Sequence, residues 1–199
     1  MNSGQTSERV YLAVKDRLLS GVYRPGERLE PALLAQTVSS SATPVREALN
    51  VMMGEQLLES RPGGGFHLPA IDQPGLSDLY NWNAAVLGFA IKLWPRSAAF
   101  RRETLFQTGV EPIRRLFAGL AAMSPNLEHA NAIERLSDRL QAVRIAEIDV
   151  LGDPEPELDT IAHAAEAADR VTVQRLVAAF HRRRVRQTAA TIRVLYRRS

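Results

Sequence analysis

Glycine and proline cut the first 74 residues into pieces too short for anything but small elements. They fall at Gly21, Pro25-Gly26, Pro44, Pro62 to Gly65, Pro69 and Pro74, and such residues punctuate turns and helix ends. Between them, ERVYLAVKDRLLS (residues 8–20) sets Val10, Val14, Leu18 and Leu19 on one face at a helical period. Ala32 to Val38 reads as a short helix with Leu33, Leu34 and Val38 available to a core. Thr43-Pro44 opens a third helix. Proline suits the first helical position, where its missing N–H has no partner to lose, and the small polar residues just before supply a cap. The buried stripe of that helix is Val45, Leu49 and Met52 or Met53. Leu57 to Glu59 and Phe66 to Leu68 read as two short strands around RPGGG (Arg61 to Gly65), a loop that only a tight turn needs. Three short helices and a two-stranded ribbon make a winged helix-turn-helix layout.

Pro69 to Pro74 reads as a connection. It divides the chain into a winged helix at 1–70, a linker at 71–75 and a second domain at 76–199. Strand signals vanish after it. Leu76 to Leu93, Ala98 to Met123, Leu127 to Val150 and Glu157 to Tyr196 carry helical spacing, with breaks at Trp94-Pro95, Ser124-Pro125, Gly152 to Pro154 and near Asp169. The expected second domain is an all-helical bundle of about five to seven helices, and the fold class is mainly α.

Composition narrows the function. Apolar residues make up 45% of the 199 and charged ones 24%, ordinary globular values. The absence of cysteine removes disulfide and thiolate chemistry and fits a reducing compartment. No apolar run of signal-peptide type opens the chain, and none reaches the roughly 18 residues of a membrane span. The expectation is a cytoplasmic protein with no membrane partner. No Ser/His/Asp or Cys/His arrangement at useful spacing and no phosphate-binding loop with its lysine is present, so an enzyme is not expected. Residues 1–70 carry seven basic and seven acidic side chains and no net charge. The excess of +3 reflects the other end, where Arg182, Arg183, Arg184, Arg186, Arg193, Arg197 and Arg198 follow Phe180 without an acid. Charge alone puts nucleic acid there; the competing reading is a solvated face of a last helix.

The stretches LSGVYRPGERL, LLAQTVSSSATPVREAL and GEQLLESRPGGGF, running without a gap from about Leu18 to Phe66, resemble the N-terminal domain of GntR-type bacterial transcription regulators. The resemblance implies a double-stranded DNA operator, a homodimer and a recognition helix opening at Thr43-Pro44. Hydroxyls there, Ser41 and Thr43, suit phosphate oxygens. Arg46, one turn in, suits a bidentate fork to guanine; an ion pair with Glu47 or Glu55 is the alternative. Arg61 and Gly63, Gly64 and Gly65 form a wing for the minor groove, and His67 in the wing strand is a lesser phosphate candidate. The chain departs from the family pattern at Ala42 and Gly64, where a cation is usual, and at Ser39-Ser40 in place of Gly-Val. Two fewer cations imply weaker phosphate attraction.

The helical half resembles the FadR-type (FCD) effector domain. That class commonly holds a metal on one Asp and three His. Here the matching positions are Ile113, Phe117 and Leu158, with only His181 able to ligate, so no metal and no cofactor is expected; His129 and His163 have the wrong spacing. Asn83 and Leu87 stand where Arg and Glu are common, which implies a less polar pocket for an apolar or organic-acid ligand. The ligand candidates are Trp82, Asn83 and His181, together with Trp94; core or dimer packing is the competing reading for both tryptophans. The expected function is a DNA-binding transcriptional regulator, with repression the expected sign, whose second domain dimerises and senses a small effector. Two alternatives stay open: an interaction adaptor with degenerate DNA binding, and a helical metal-binding protein.

Overall fold

The structure is a computed structural model. It describes residues 3–95, 100–101 and 111–197. The chain divides into two compact units, Met1–Ile71 with Leu195–Ser199, and Asp72–Val194.

The first unit comprises α1 (Ser3–Leu19), β1 (Arg28–Leu29), α2 (Pro31–Thr37), α3 (Ala42–Gly54) and β2 (Phe66–His67). The stripes read from the sequence meet in one core: Val10, Val14 and Leu18 from α1, Leu34 and Ala35 from α2, and Val45, Ala48, Leu49 and Met52 from α3. Leu33 does not join them; it is exposed, on the opposite side of α2 from Leu34 and Ala35. The ribbon also differs from expectation. β2 pairs antiparallel with β1, Arg28 opposite His67 and Leu29 opposite Phe66. Leu57 to Glu59 contributes one bridge, Glu59 opposite His67. Gly63, Gly64 and Gly65 hold φ of 97, 76 and 90° in succession, a left-handed run that side-chain-bearing residues resist.

The second unit comprises α4 (Gln73–Lys92), α5 (Pro112–Ala122), α6 (Leu127–Leu151), α7 (Glu155–Glu166), α8 (Arg170–Arg186) and most of α9 (Thr188–Arg197). Gln73 to Gly75, assigned to the linker from sequence, form the first turn of α4, capped by Asp72 through Gly75 N–H at 2.8 Å. The end of α9 groups with the first unit, where 76–199 had been read as one domain. The stretch read as one helix from Glu157 to Tyr196 is three, with an additional break at Gln187. The helix expected from Ala98 is seen from Pro112; its start lies largely outside the described residues. The core is built from Leu87, Ile91, Trp94, Leu116, Phe117, Leu120, Ile133, Ile161, Val177 and their neighbours.

Candidate nucleic-acid interface

The turn into α3 follows from how α2 ends. Ser39 N–H donates to Gln36 C=O and Ser40 N–H to Ala35 C=O, a Schellman closure. It requires Ser39 in the left-handed region, φ 49°, which is why glycine is usual there. The chain then extends through Ser41 (φ −88°, ψ 163°) into α3.

Ser41 occupies the N-cap of α3 without capping it: its side chain accepts no hydrogen bond from the helix. Asp72, Asn126 and Asp169, by contrast, each accept from their own helices. No acid lies in the first turn of α3. The free N–H groups there and the positive end of the helix dipole are therefore unopposed, which is the condition under which a helix start attracts phosphate. Ser41, Thr43 and Arg46 are all exposed, on the side of α3 away from Val45, Leu49 and Met52. Arg46 makes no hydrogen bond or ion pair with another described residue. Glu55, one of its possible partners, accepts instead from the Tyr11 hydroxyl at 2.7 Å.

The wing places its arginine differently from its glycines. Arg61 is half-buried and doubly held, donating through Nε to Glu59 at 2.8 Å and through Nη1 to the Gly26 carbonyl at 3.2 Å. It braces the base of the wing. The glycine tip is exposed, and a Cβ at Gly63 or Gly64 would meet nothing within 4 Å, whereas one at Gly65 would press on Arg28 Nε at 3.4 Å. Arg28 itself pairs with Glu30 at 3.0 Å on the surface. His67 turns its Nδ1 into the fold, buried and without a described partner.

In the second unit the ligand candidates separate. Asn83 and His181 are buried at 0% and 3% exposure, while Trp82 is 54% exposed on the outer face of α4 and does not join them. Trp94 is core, its Nε1 donating to the Leu120 carbonyl at 2.9 Å. His181 stacks on Phe117 with ring centroids 5.3 Å apart, and burial pushes its pKa down to about 4. The neutral imidazole donates from Nδ1 to the Val177 carbonyl at 2.8 Å. The expected metal positions Ile113, Phe117 and Leu158 are buried apolar side chains, which cannot ligate. Among the described residues no three His, Cys, Asp or Glu converge on a metal position, so this donor set does not fit one. His129 binds the Ser124 hydroxyl at 2.8 Å, and His163 is exposed.

Sequence reasoning missed the charged groups inside the bundle. Arg184, from the run read as a solvated or nucleic-acid-facing stretch, is 2% exposed. It donates to Glu147 at 2.8 Å and Glu157 at 3.1 Å, with its guanidinium 3.2 Å from the centre of the Phe180 ring. Tyr80 donates to the other Glu147 oxygen at 2.5 Å. Arg144, also buried, donates to Glu111 at 3.2 Å. Burial outweighs that arginine and holds the Glu111 carboxyl above the usual carboxylate range. The one signal that could have found these groups is their placement at core positions of helical stripes: Arg184 three residues after His181, and Glu147 four after Val143.

Residues 6–68 match the family profile described as Bacterial regulatory proteins, gntR family. The first unit is thus a gntR-type helix-turn-helix domain, the class its fold and exposed recognition helix define. Among curated proteins, the Nta operon transcriptional regulator of Aminobacter aminovorans is 37% identical over 71 residues, 36% of this chain and 34% of that protein. The HTH-type transcriptional regulator YdhC of Bacillus subtilis (strain 168) is 25% identical over 83 residues, 42% of this chain and 37% of that protein. The matches thus span little more than a third of those relatives. Among solved structures, a protein assigned as the transcriptional regulator GntR from Rhodococcus sp. RHA1 superposes with a TM-score of 0.79 at 17% identity, covering 94% of this chain and 98% of that one. E. coli McbR/YncC superposes with a TM-score of 0.67 at 22% identity, covering 96% and 97%. These likenesses establish the mainly helical fold, a winged helix-turn-helix followed by a helical region. No helix among the described residues is long and apolar enough to cross a membrane.

Proposed function

We propose that the chain is a DNA-binding transcriptional regulator of the FadR-type branch that acts as a homodimer, represses from an operator, and senses a small effector in its helical unit. The observation that carries the DNA-binding reading is Arg46: exposed, unpaired, and one turn into a helix whose N-cap serine leaves its N–H groups free. A guanidinium in that position reaches guanine edges while Ser41 and Thr43 reach phosphates. A winged helix reads one half-site, so two copies reading a two-fold operator is the economical arrangement. In support of a dimer, Trp82, Phe89 and Leu93, spaced seven and four residues apart along one side of α4 and its C-cap, are each about half exposed, more contiguous apolar surface than a solitary helix face usually leaves open.

The test is binding of the cognate promoter fragment by the wild type and by Arg46→Ala. Loss of a bidentate base contact costs about 1–3 kcal/mol per half-site, so specific affinity falls at least tenfold. The melting temperature stays unchanged, because nothing in the fold leans on that side chain. Unchanged specific binding would refute the assignment of α3 as the reading helix.

A further inference from the structure

Asn83 stands apart from every other polar group in the helical unit. It is fully buried, and both its Oδ1 and its Nδ2 lack a described partner. A primary amide buried with neither end satisfied is costly, so the position is explained by something the polypeptide does not supply.

What faces it follows from the packing. Tyr80, Glu147 and Arg184 are joined by hydrogen bonds across α4, α6 and α8. Gln174 donates to the Gly88 carbonyl, so α8 runs antiparallel to α4. Glu111 pairs with Arg144 while Arg114 pairs with Asp138, so α6 runs antiparallel to α5. Trp94 reaches Leu120 at the far ends of α4 and α5, which makes those two parallel. One turn further along α4 is Asn83; one turn back along α6 and α8 are Arg144 and His181. The three side chains form the layer next to the Tyr80–Glu147–Arg184 triad. His181 responds to the charge of Arg144 as well as that of Arg184, which agrees with that proximity.

Each member of this layer has capacity to spare. Arg144 uses Nη1 on Glu111, leaving Nε and Nη2 unpaired among the described residues. His181 spends Nδ1–H on Val177, so Nε2 carries a free lone pair. Asn83 offers two donors and an acceptor. The set holds donors for a carboxylate, from Arg144 and the Asn83 amide nitrogen, and acceptors for one hydroxyl hydrogen, the imidazole Nε2 and the Asn83 oxygen. We infer that Asn83, Arg144 and His181 bind a small carboxylate that carries a hydroxyl group beside it. The inference rests on the reading of this unit as an effector domain and replaces the more apolar ligand expected from sequence.

Calorimetric titration of the full chain at pH 7 tests it with matched probes: glycolate and 2-hydroxybutyrate, their deoxy counterparts acetate and butyrate, and the neutral amides glycolamide and 2-hydroxybutyramide. One of the hydroxy acids binds at least tenfold more tightly than both its deoxy acid and its amide. Asn83→Leu, which removes the polar atoms at similar volume, loses that binding at least tenfold while melting no lower than wild type. Arg144→Lys, which keeps the charge beside Glu111 but not the fork, does the same. Failure of both hydroxy acids to bind, an amide or deoxy acid binding as well as its hydroxy acid, or full affinity in Asn83→Leu each overturns the inference. Promoter binding measured on the same samples keeps the readings separate. Retained DNA binding with no hydroxy-acid binding sinks this site alone, and hydroxy-acid binding in a protein that ignores duplex DNA sinks the regulator.

Discussion

The two units treat arginine in opposite ways. In the first, Arg46 lies on the outer side of α3 with no protein partner, and the N-cap serine beside it is equally unspent. In the second, Arg184 and Arg144 are buried to within a few per cent and committed to Glu147, Glu157 and Glu111. A side chain left unpaired in water costs the fold nothing and stays available to an outside partner. A charge inside a bundle must be compensated on the spot, and removing one partner leaves the other stranded. The same residue type is therefore a recognition group in one unit and a structural group in the other, and substitution distinguishes them.

The largest expected effect is on the structural side. Arg184→Ala leaves Glu147 buried with only the Tyr80 hydroxyl and strips the Phe180 ring of its guanidinium. Chemical denaturation should show the helical unit destabilised by about 3–5 kcal/mol. Arg46→Ala should move stability by less than about 0.5 kcal/mol, as for a surface substitution. Equal losses from the two would erase the contrast.

Next is acid. The His181 pKa is depressed to about 4, so the unfolded chain binds the proton more readily than the folded one. The stabilisation this gives is complete above the unfolded value near 6.5 and is lost as pH falls from about 6.5 toward 4. The span is worth up to about 3 kcal/mol. His181→Phe should flatten that part of the stability profile, whereas the exposed His163 replaced by Phe should leave it unchanged.

How far the sequence could be read differs between the units for a physical reason. In α3 the apolar residues fall strictly on one side, so the 3.6-residue period assigned Val45, Leu49 and Met52 inward and left Arg46 outward. In α4 apolar residues occur nearly all round, and the period did not say that Trp82 faces solvent while its neighbour Asn83 is buried. β1 is two residues long and exists because β2 pairs with it, which no local pattern encodes. The break at Gln187 has no glycine or proline to mark it. Arg184 was hidden by its neighbours: four arginines in five residues look solvated, yet at 3.6 residues per turn one of them must face inward, and tertiary charge pairing decided that it was this one.

The smallest effects concern turn geometry. Ser39 and Ala168 both sit just past a helix end with φ of 49 and 54°. Each is closed by the same pair of bonds, Ser39 to Gln36 and Ser40 to Ala35, Ala168 to Ala165 and Asp169 to Ala164. A Cβ in that left-handed region costs about 1 kcal/mol, part of which glycine gives back by loosening the unfolded chain. Ser39→Gly and Ala168→Gly should therefore each stabilise by about 0.5 kcal/mol, a rise of roughly 2–4 °C in melting temperature for the smaller first unit and less for the second. Ser39→Gly also reports on recognition, because its closure sets the angle at which α3 leaves α2. If the strained serine aims the helix at a particular operator, the glycine variant gains stability and loses discrimination between promoter and random duplex. If it gains stability with discrimination intact, the turn is a matter of folding alone and recognition rests on Ser41, Thr43 and Arg46.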